Sequence, residues 1–148
     1  MQIVMTSAAF EDLKQVLFSP KEIFCRLKGE FDREVYYLHE IDVITIGTEN
    51  KVPSITLKDL IVESANHNLL GFYHTHPRNQ PKESKLSASD VKLFQMVKHS
   101  WIQYYQPIFG IGSLATSIKS ETLLFDIKFF ILDENDLPRE IKSHIVQA

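Results

Sequence analysis

Residues 71–77 read Gly71-Phe72-Tyr73-His74-Thr75-His76-Pro77, and a polar segment then leads to Ser87-Ala88-Ser89-Asp90. Side chains alternate between the two faces of an extended strand, so His74 and His76 share a face and can bind one ion. Pro77 lacks an amide hydrogen and ends the strand. Asp90 can supply a third ligand from the next element. Three protein ligands with one open position are typical of a catalytic zinc site.

The composition is that of an ordinary globular protein. The 148 residues, 44% of them hydrophobic, suit one domain over 1–148. The net charge is −3, and the charges are interspersed, so we expect neither a nucleic-acid nor a membrane-surface partner. Cys25 is the only cysteine, which excludes an intramolecular disulfide and a cysteine-rich zinc cluster. With no signal peptide or spanning segment recognisable, we expect a cytoplasmic protein.

Hydrophobic periodicity and turn residues predict both strands and helices. We expect strands over 2–5, 23–28, 34–46, 69–76, 104–110, 114–119 and 123–132. We expect helices from Thr6 or Ser7 to Leu17, over 56–67, from Ser87 onward, and from Leu137 to Val146, with a polar loop over 78–86. Strands and helices do not alternate strictly, so the pattern favours an α/β or α+β sheet with helices on its faces.

The residues alone leave the general base of such a site open. A hydrolytic zinc needs a carboxylate near its water, and the candidates are Glu22, Glu30, Glu34, Glu40, Asp42 and Glu63. Asp90 has a competing role, because a carboxylate in the first turn stabilises a helix N-terminus. For His39, His67, His99 and His144 we expect structural or surface roles.

The two segments together resemble the signature of the JAMM (MPN-plus) zinc metalloproteases. That signature reads G-x-x-H-[S/T]-H-P and then S-x-x-D, as in Gly71 to Pro77 and Ser87 to Asp90. The family also carries a glutamate in a pattern close to P-x-E-x-C-G-L-L-x-G. Residues 20–29 keep its proline, its glutamate as Glu22, its second leucine and its final glycine, but Phe24-Cys25-Arg26 replaces Cys-Gly-Leu. The resemblance covers about residues 1–100.

This resemblance, to the prokaryotic JAB-domain type, implies a fold, an activity and a set of roles. The fold class would be α/β, a single domain with a curved mixed β-sheet flanked by helices, as in cytidine deaminases. His74, His76 and Asp90 would hold Zn²⁺, Glu22 would be the general base, and Ser87 would stabilise the oxyanion. The enzyme would cut peptide or isopeptide bonds after the C-terminal tail of a ubiquitin-like or sulfur-carrier-like protein, beside activating or conjugating enzymes.

One departure from the family pattern leaves alternatives. The segment between the second histidine and the aspartate is three residues longer than usual, and the usual spacing would place Ser87 where the carboxylate belongs. We interpret 78–86 as a loop with an insertion, which costs little, and its Arg78, Lys82 and Lys85 can contact a substrate tail. The alternative is a non-catalytic scaffold with a degenerate metal site. A nucleoside deaminase would need a pair of cysteines.

Overall fold

A computed structural model of the chain describes residues 1–46, 68–76, 86–116 and 123–146. These residues form two helices, α1 (Ser7–Val16) and α2 (Ala88–Ser100). They also form seven strands: β1 (Gln2–Thr6), β2 (Ile23–Asp32), β3 (Val35–Ile46), β4 (Leu69–His76), β5 (Ile108–Thr116), β6 (Leu123–Leu132) and β7 (Pro138–Val146). Neither helix in this part of the chain is long and apolar enough to cross a membrane.

The seven strands make a closed barrel. Their order is β1-β3-β2-β4-β5-β6-β7, and β7 pairs again with β1, with Gln2 opposite Lys142. The pairs β1–β3, β1–β7 and β4–β5 are parallel, and the other four are antiparallel. Closure leaves β1, which would otherwise end the sheet, with a neighbour on each side.

The predicted fold class is therefore wrong: the sheet is a closed barrel and not a curved sheet flanked by helices in the cytidine-deaminase-like JAMM/MPN arrangement. The error is concentrated in one element. The helix predicted from Leu137 to Val146 is strand β7, which pairs with β6 and with β1 and thereby closes the sheet. A turn at 133–136 connects β6 to β7.

Other elements differ in detail. The strands predicted over 69–76 and 123–132 are confirmed as β4 and β6. The two strands predicted over 104–110 and 114–119 are wrong, because a single strand, β5, runs from Ile108 to Thr116. The strand continues through Gly112, where a side chain would overlap the Tyr73 hydroxyl. The helix over 56–67 and most of the loop over 78–86 lie outside the described residues.

The buried side chains form two clusters on opposite faces of the sheet. On the first, which we call the α1 face, Cys25 and Tyr73 pack with Leu13 of α1. On the second, the α2 face, Phe72 packs with Phe94 of α2. Because residues two apart share a face of a strand, His74 and His76 lie on the α2 face with Phe72. The first turn of α2 is therefore the nearest helical element to the histidines.

Candidate metal centre

Strand β4 places both histidine side chains where little of their surface is exposed to solvent. His74 is 5% exposed, and the side chain of His76 is 11% exposed. The ring of Phe24, which is opposite His74 on β2, lies parallel to the His74 ring at a centroid distance of 6.1 Å. Apolar walls of this kind keep water away and strengthen electrostatic interactions within the site.

Asp90 is held by the cap of α2. Ser87 is the N-cap residue, and its Oγ accepts a hydrogen bond from the Asp90 amide at 3.1 Å. In return Asp90 Oδ2 accepts from the Ser87 amide at 2.9 Å, which completes a capping box. The carboxylate is therefore fixed by the backbone at the start of the helix, with Oδ1 closest to His74 and Oδ2 closest to His76.

The three predicted ligands come together. His74 Nε2 lies 3.0 Å from Asp90 Oδ1, and His76 Nε2 lies 3.6 Å from Asp90 Oδ2. One ligand atom from each of the three residues lies within 4.8 Å of the others. Zinc bonds to nitrogen and oxygen are about 2.0–2.2 Å long, so small side-chain movements suffice for all three atoms to reach one ion.

The Asp90 carboxylate remains ionised in this environment. Burial is the largest single influence on it and acts to raise the pKa of Asp90. Hydrogen bonds from His74 and His76, the charge of His74 and the hydrogen bond from Ser87 act in the opposite direction and outweigh burial. The net result is a pKa well below the usual value of a carboxyl group, so the ligand carries its negative charge throughout the physiological pH range.

The donor set fits a divalent zinc-like ion. Two imidazole nitrogens and one carboxylate are ligands of catalytic zinc sites, and they leave one position for a water or a substrate. The Nδ1 atom of His76 is buried and has no hydrogen-bond partner within the described part of the chain. Metal-bound histidines usually pair the ring nitrogen that does not bind the metal, so this atom adds nothing to the case for a metal ion, which rests on the donor set.

Glu22 lies at the end of β2 that is nearest to the histidines. It directly precedes Ile23, whose amide donates a buried hydrogen bond of 2.9 Å to Thr75 Oγ1, between the two histidines. Phe24 is opposite His74 in the antiparallel pair, and opposite residues project from the same face. Glu22 thus directly precedes the two residues of β2 that contact Thr75 and lie opposite His74.

Ser87 is exposed, and its hydroxyl oxygen serves the cap. A hydroxyl that accepts one hydrogen bond still has its own proton to donate, so the cap leaves Ser87 able to stabilise negative charge beside Asp90. The four-residue arrangement of the cap thus places a ligand and a donor next to each other.

The remaining histidines in the described residues do not join this site. His39 and His144 are exposed on β3 and β7, and His99 Nε2 lies 3.0 Å from Asp136 Oδ2; His67 lies outside the described residues. Sequence reasoning missed Thr75, whose hydroxyl ties β4 to the segment that carries Glu22. The threonine between the two histidines in the motif is the only signal that pointed to it.

Comparisons with known proteins bear on the fold alone. No protein-family model matches the chain, and no curated protein matches it. The chain is similar to the solution structure of protein DSY2949 from Desulfitobacterium hafniense, with 17% sequence identity and a TM-score of 0.54. The alignment covers 99% of this chain and 94% of that one. The chain therefore shares its overall fold with a bacterial protein over nearly its full length.

Proposed function

We propose that this chain is a zinc-dependent peptidase or isopeptidase that hydrolyses a bond after the C-terminal tail of a ubiquitin-like or sulfur-carrier-like protein. The observation that carries the proposal is the convergence of His74, His76 and Asp90 on one shielded point of the α2 face. Two imidazoles and a carboxylate with room for a fourth ligand are a catalytic rather than a structural donor set.

In this proposal, different residues of the chain have different roles in the hydrolysis. Bound zinc supplies Lewis acidity, which activates water near neutral pH and polarises a carbonyl. Glu22 accepts the proton of the attacking water and returns it to the departing amine. The Ser87 hydroxyl donates to the carbonyl oxygen as negative charge develops on it. The rings of Phe24 and Phe72 exclude bulk water from the same face.

The substrate class comes from the motif. The segments from Gly71 to Pro77 and from Ser87 to Asp90, with Glu22 upstream, resemble the JAMM signature, whose members act on tails of ubiquitin-like proteins. Activating or conjugating enzymes for such a modifier are the partners that the proposal implies. The proposal includes a cytoplasmic location. Neither the lone cysteine nor the metal site, which contains no thiol, requires an oxidising compartment.

The test is cleavage of ubiquitin-like and sulfur-carrier fusions that carry a Gly-Gly tail ahead of a reporter. We expect the zinc-loaded protein to release the reporter and Glu22→Gln to lower kcat/KM by about 10²–10⁴-fold, the range for loss of a general base. Glu30→Gln is the matched control, because Glu30 is an exposed carboxylate on β2 that is remote from the histidines. It should retain wild-type activity and zinc content.

The possible results separate the alternatives. Full activity of Glu22→Gln contradicts the assignment of the base. A protein that binds zinc but cleaves none of these fusions contradicts the substrate class. A protein that neither holds zinc nor cleaves is the non-catalytic scaffold, and the hydrolase proposal then fails.

A further inference from the structure

A second polar cluster lies at the opposite end of α2 from Asp90. Gln95, Lys98 and His99 of the helix all contact the β6–β7 turn at Asp133 and Asp136, and we call these five residues the C-terminal clamp. Lys98 Nζ lies 2.7 Å from Asp136 Oδ1 and donates to the Asp133 carbonyl at 3.0 Å. Gln95 Nε2 donates to the Asp136 carbonyl at 3.1 Å, and His99 Nε2 lies 3.0 Å from Asp136 Oδ2.

The turn that receives these contacts is itself well ordered by hydrogen bonds. Asp133 Oδ1 accepts from the amides of Asn135, at 2.8 Å, and Leu137, at 3.1 Å. The Asp133 amide donates to the Leu137 carbonyl, and the Asp136 amide donates to the Asp133 carbonyl. Asp136 has a positive φ of 59°. Hydrogen bonds from Lys98 and then from His99 lower the pKa of the Asp136 carboxyl, so this acceptor is charged near neutral pH.

The helix between the two ends packs on the sheet along a narrow stripe. Its buried residues are Phe94 and Val97, and the Phe94 ring stacks on Phe109 of β5 at a centroid distance of 4.1 Å. Leu86, Leu93 and Trp101, which are partly buried, also pack on this cluster, so the helix moves on the sheet only by small pivots about this stripe. Asp90 and Lys98 are eight residues apart, about 12 Å along the helix, and lie on either side of the Phe94 contact. A pivot that lifts the Lys98 end therefore displaces the Asp90 carboxylate.

We propose that the C-terminal clamp positions Asp90 for metal binding, with Lys98 and Asp136 as its principal positioning residues. The clamp fixes the position of α2 relative to the strand that carries the histidines. The turn continues β6, β6 pairs with β5, and β5 pairs with β4. The metal ligands thus belong to one closed chain of contacts from His74 through the sheet and the clamp back to Asp90. This inference rests on the proposed metal site.

The test is zinc affinity, measured by competition with a chromogenic chelator, in Lys98→Met, Asp136→Asn and the double variant. Methionine keeps the unbranched side chain of Lys98 without its charge. Asparagine tolerates the positive φ of Asp136 but loses the carboxylate. Because the clamp acts on Asp90 only through the helix, we expect the double variant to bind zinc more weakly, by no more than the ~10–100-fold that loss of a direct outer-shell partner costs. Each single variant should show a large share of this loss, because the ion pair between Lys98 and Asp136 is removed in both.

The control and a second readout separate positioning from general stability. The Lys14–Glu11 ion pair, at 3.2 Å, also joins a lysine to a carboxylate but lies within α1, so Glu11→Gln with Lys14→Met should leave zinc affinity unchanged. The visible spectrum of the Co²⁺-loaded protein should lose intensity in the clamp variants only. Unchanged zinc affinity and spectrum in a folded Lys98→Met/Asp136→Asn protein would overturn the inference. If the wild type binds no zinc, the proposed metal site itself fails, and the clamp proposal with it.

Discussion

The two faces of the sheet at β2 and β4 bury titratable groups in opposite ways. On the α2 face, His74 and His76 meet the Asp90 carboxylate, and their contacts lower its pKa despite burial. On the α1 face, Tyr73 and Cys25 are fully buried among apolar side chains, and burial raises the pKa of both. Burial alone keeps a group neutral and inert, whereas burial with converging partners keeps charge in place. Only the second condition creates a site that can bind a cation.

The largest expected effect comes from removing the partner on the α2 face. Asp90→Ala takes away the only anionic ligand of the three-residue group and half of the capping box. We expect zinc affinity to fall by more than the ~10–100-fold that loss of an outer-shell partner costs, with cleavage falling in step. Ala88→Ser, in the same exposed first turn of α2, is the matched control. If Asp90→Ala binds zinc with wild-type affinity, the Asp90 carboxylate is not what enables the α2 face to bind a cation.

Thr75 ties the strand of the histidines to the segment that carries Glu22, so its removal should separate stability from metal binding. Thr75→Val keeps the shape but leaves the buried Ile23 amide without its acceptor, which should lower the free energy of unfolding by about 1–3 kcal/mol. Urea denaturation measures this. Because the histidines are untouched, zinc affinity should remain, while kcat should fall as the segment that carries Glu22 loses its anchor.

Thr75→Ser is the appropriate control, since it keeps the hydroxyl and loses one methyl group. It should retain the activity that Thr75→Val loses. If the serine and valine variants have equal kcat, the hydroxyl does not position Glu22.

The smallest effect concerns the α1 face alone. Burial, with a smaller contribution from Asp42, raises the pKa of the Cys25 thiol from 9.0 to about 12. The unfolded thiol ionises above about pH 9, and the folded one does not, so this group's contribution to stability is complete below pH 9 and declines as the pH rises toward 12. The unfolding free energy of the wild type should therefore fall more steeply from pH 9 to 11 than that of Cys25→Ala. Equal slopes would show that Cys25 is not shielded from water.

The local parts of the candidate site could be predicted from the sequence because each depends on neighbours in the chain. Alternation in β4 puts His74 and His76 on one face, and Ser87 with Asp90 is a capping box whose geometry is set within four residues. The strand and the start of the helix at Ser87 appear at the predicted positions, and the structure adds the reciprocal hydrogen bonds of the capping box. The contact between Asp90 and the histidines joins two elements, and it was the motif rather than periodicity that predicted it.

The closure of the barrel could not be predicted in the same way. The segment from Pro138 to Val146 has one buried residue, Ile141, so it has no alternating pattern that distinguishes a strand from an exposed helix. Its conformation is decided by pairing with β1, whose residues lie more than 130 positions earlier in the chain. The clamp is similarly non-local, since Lys98 and Asp136 are 38 residues apart. Such contacts depend on tertiary structure that local propensity does not encode.

The account depends most directly on whether His74, His76 and Asp90 bind a metal ion. The decisive measurement is the zinc content of the purified wild-type protein after zinc loading and dialysis, beside His74→Ala prepared in the same way. We predict about one tightly held zinc ion per wild-type chain and a substoichiometric amount in the variant. A wild-type protein that retains no zinc, or a His74→Ala protein that retains as much as the wild type, would contradict the account.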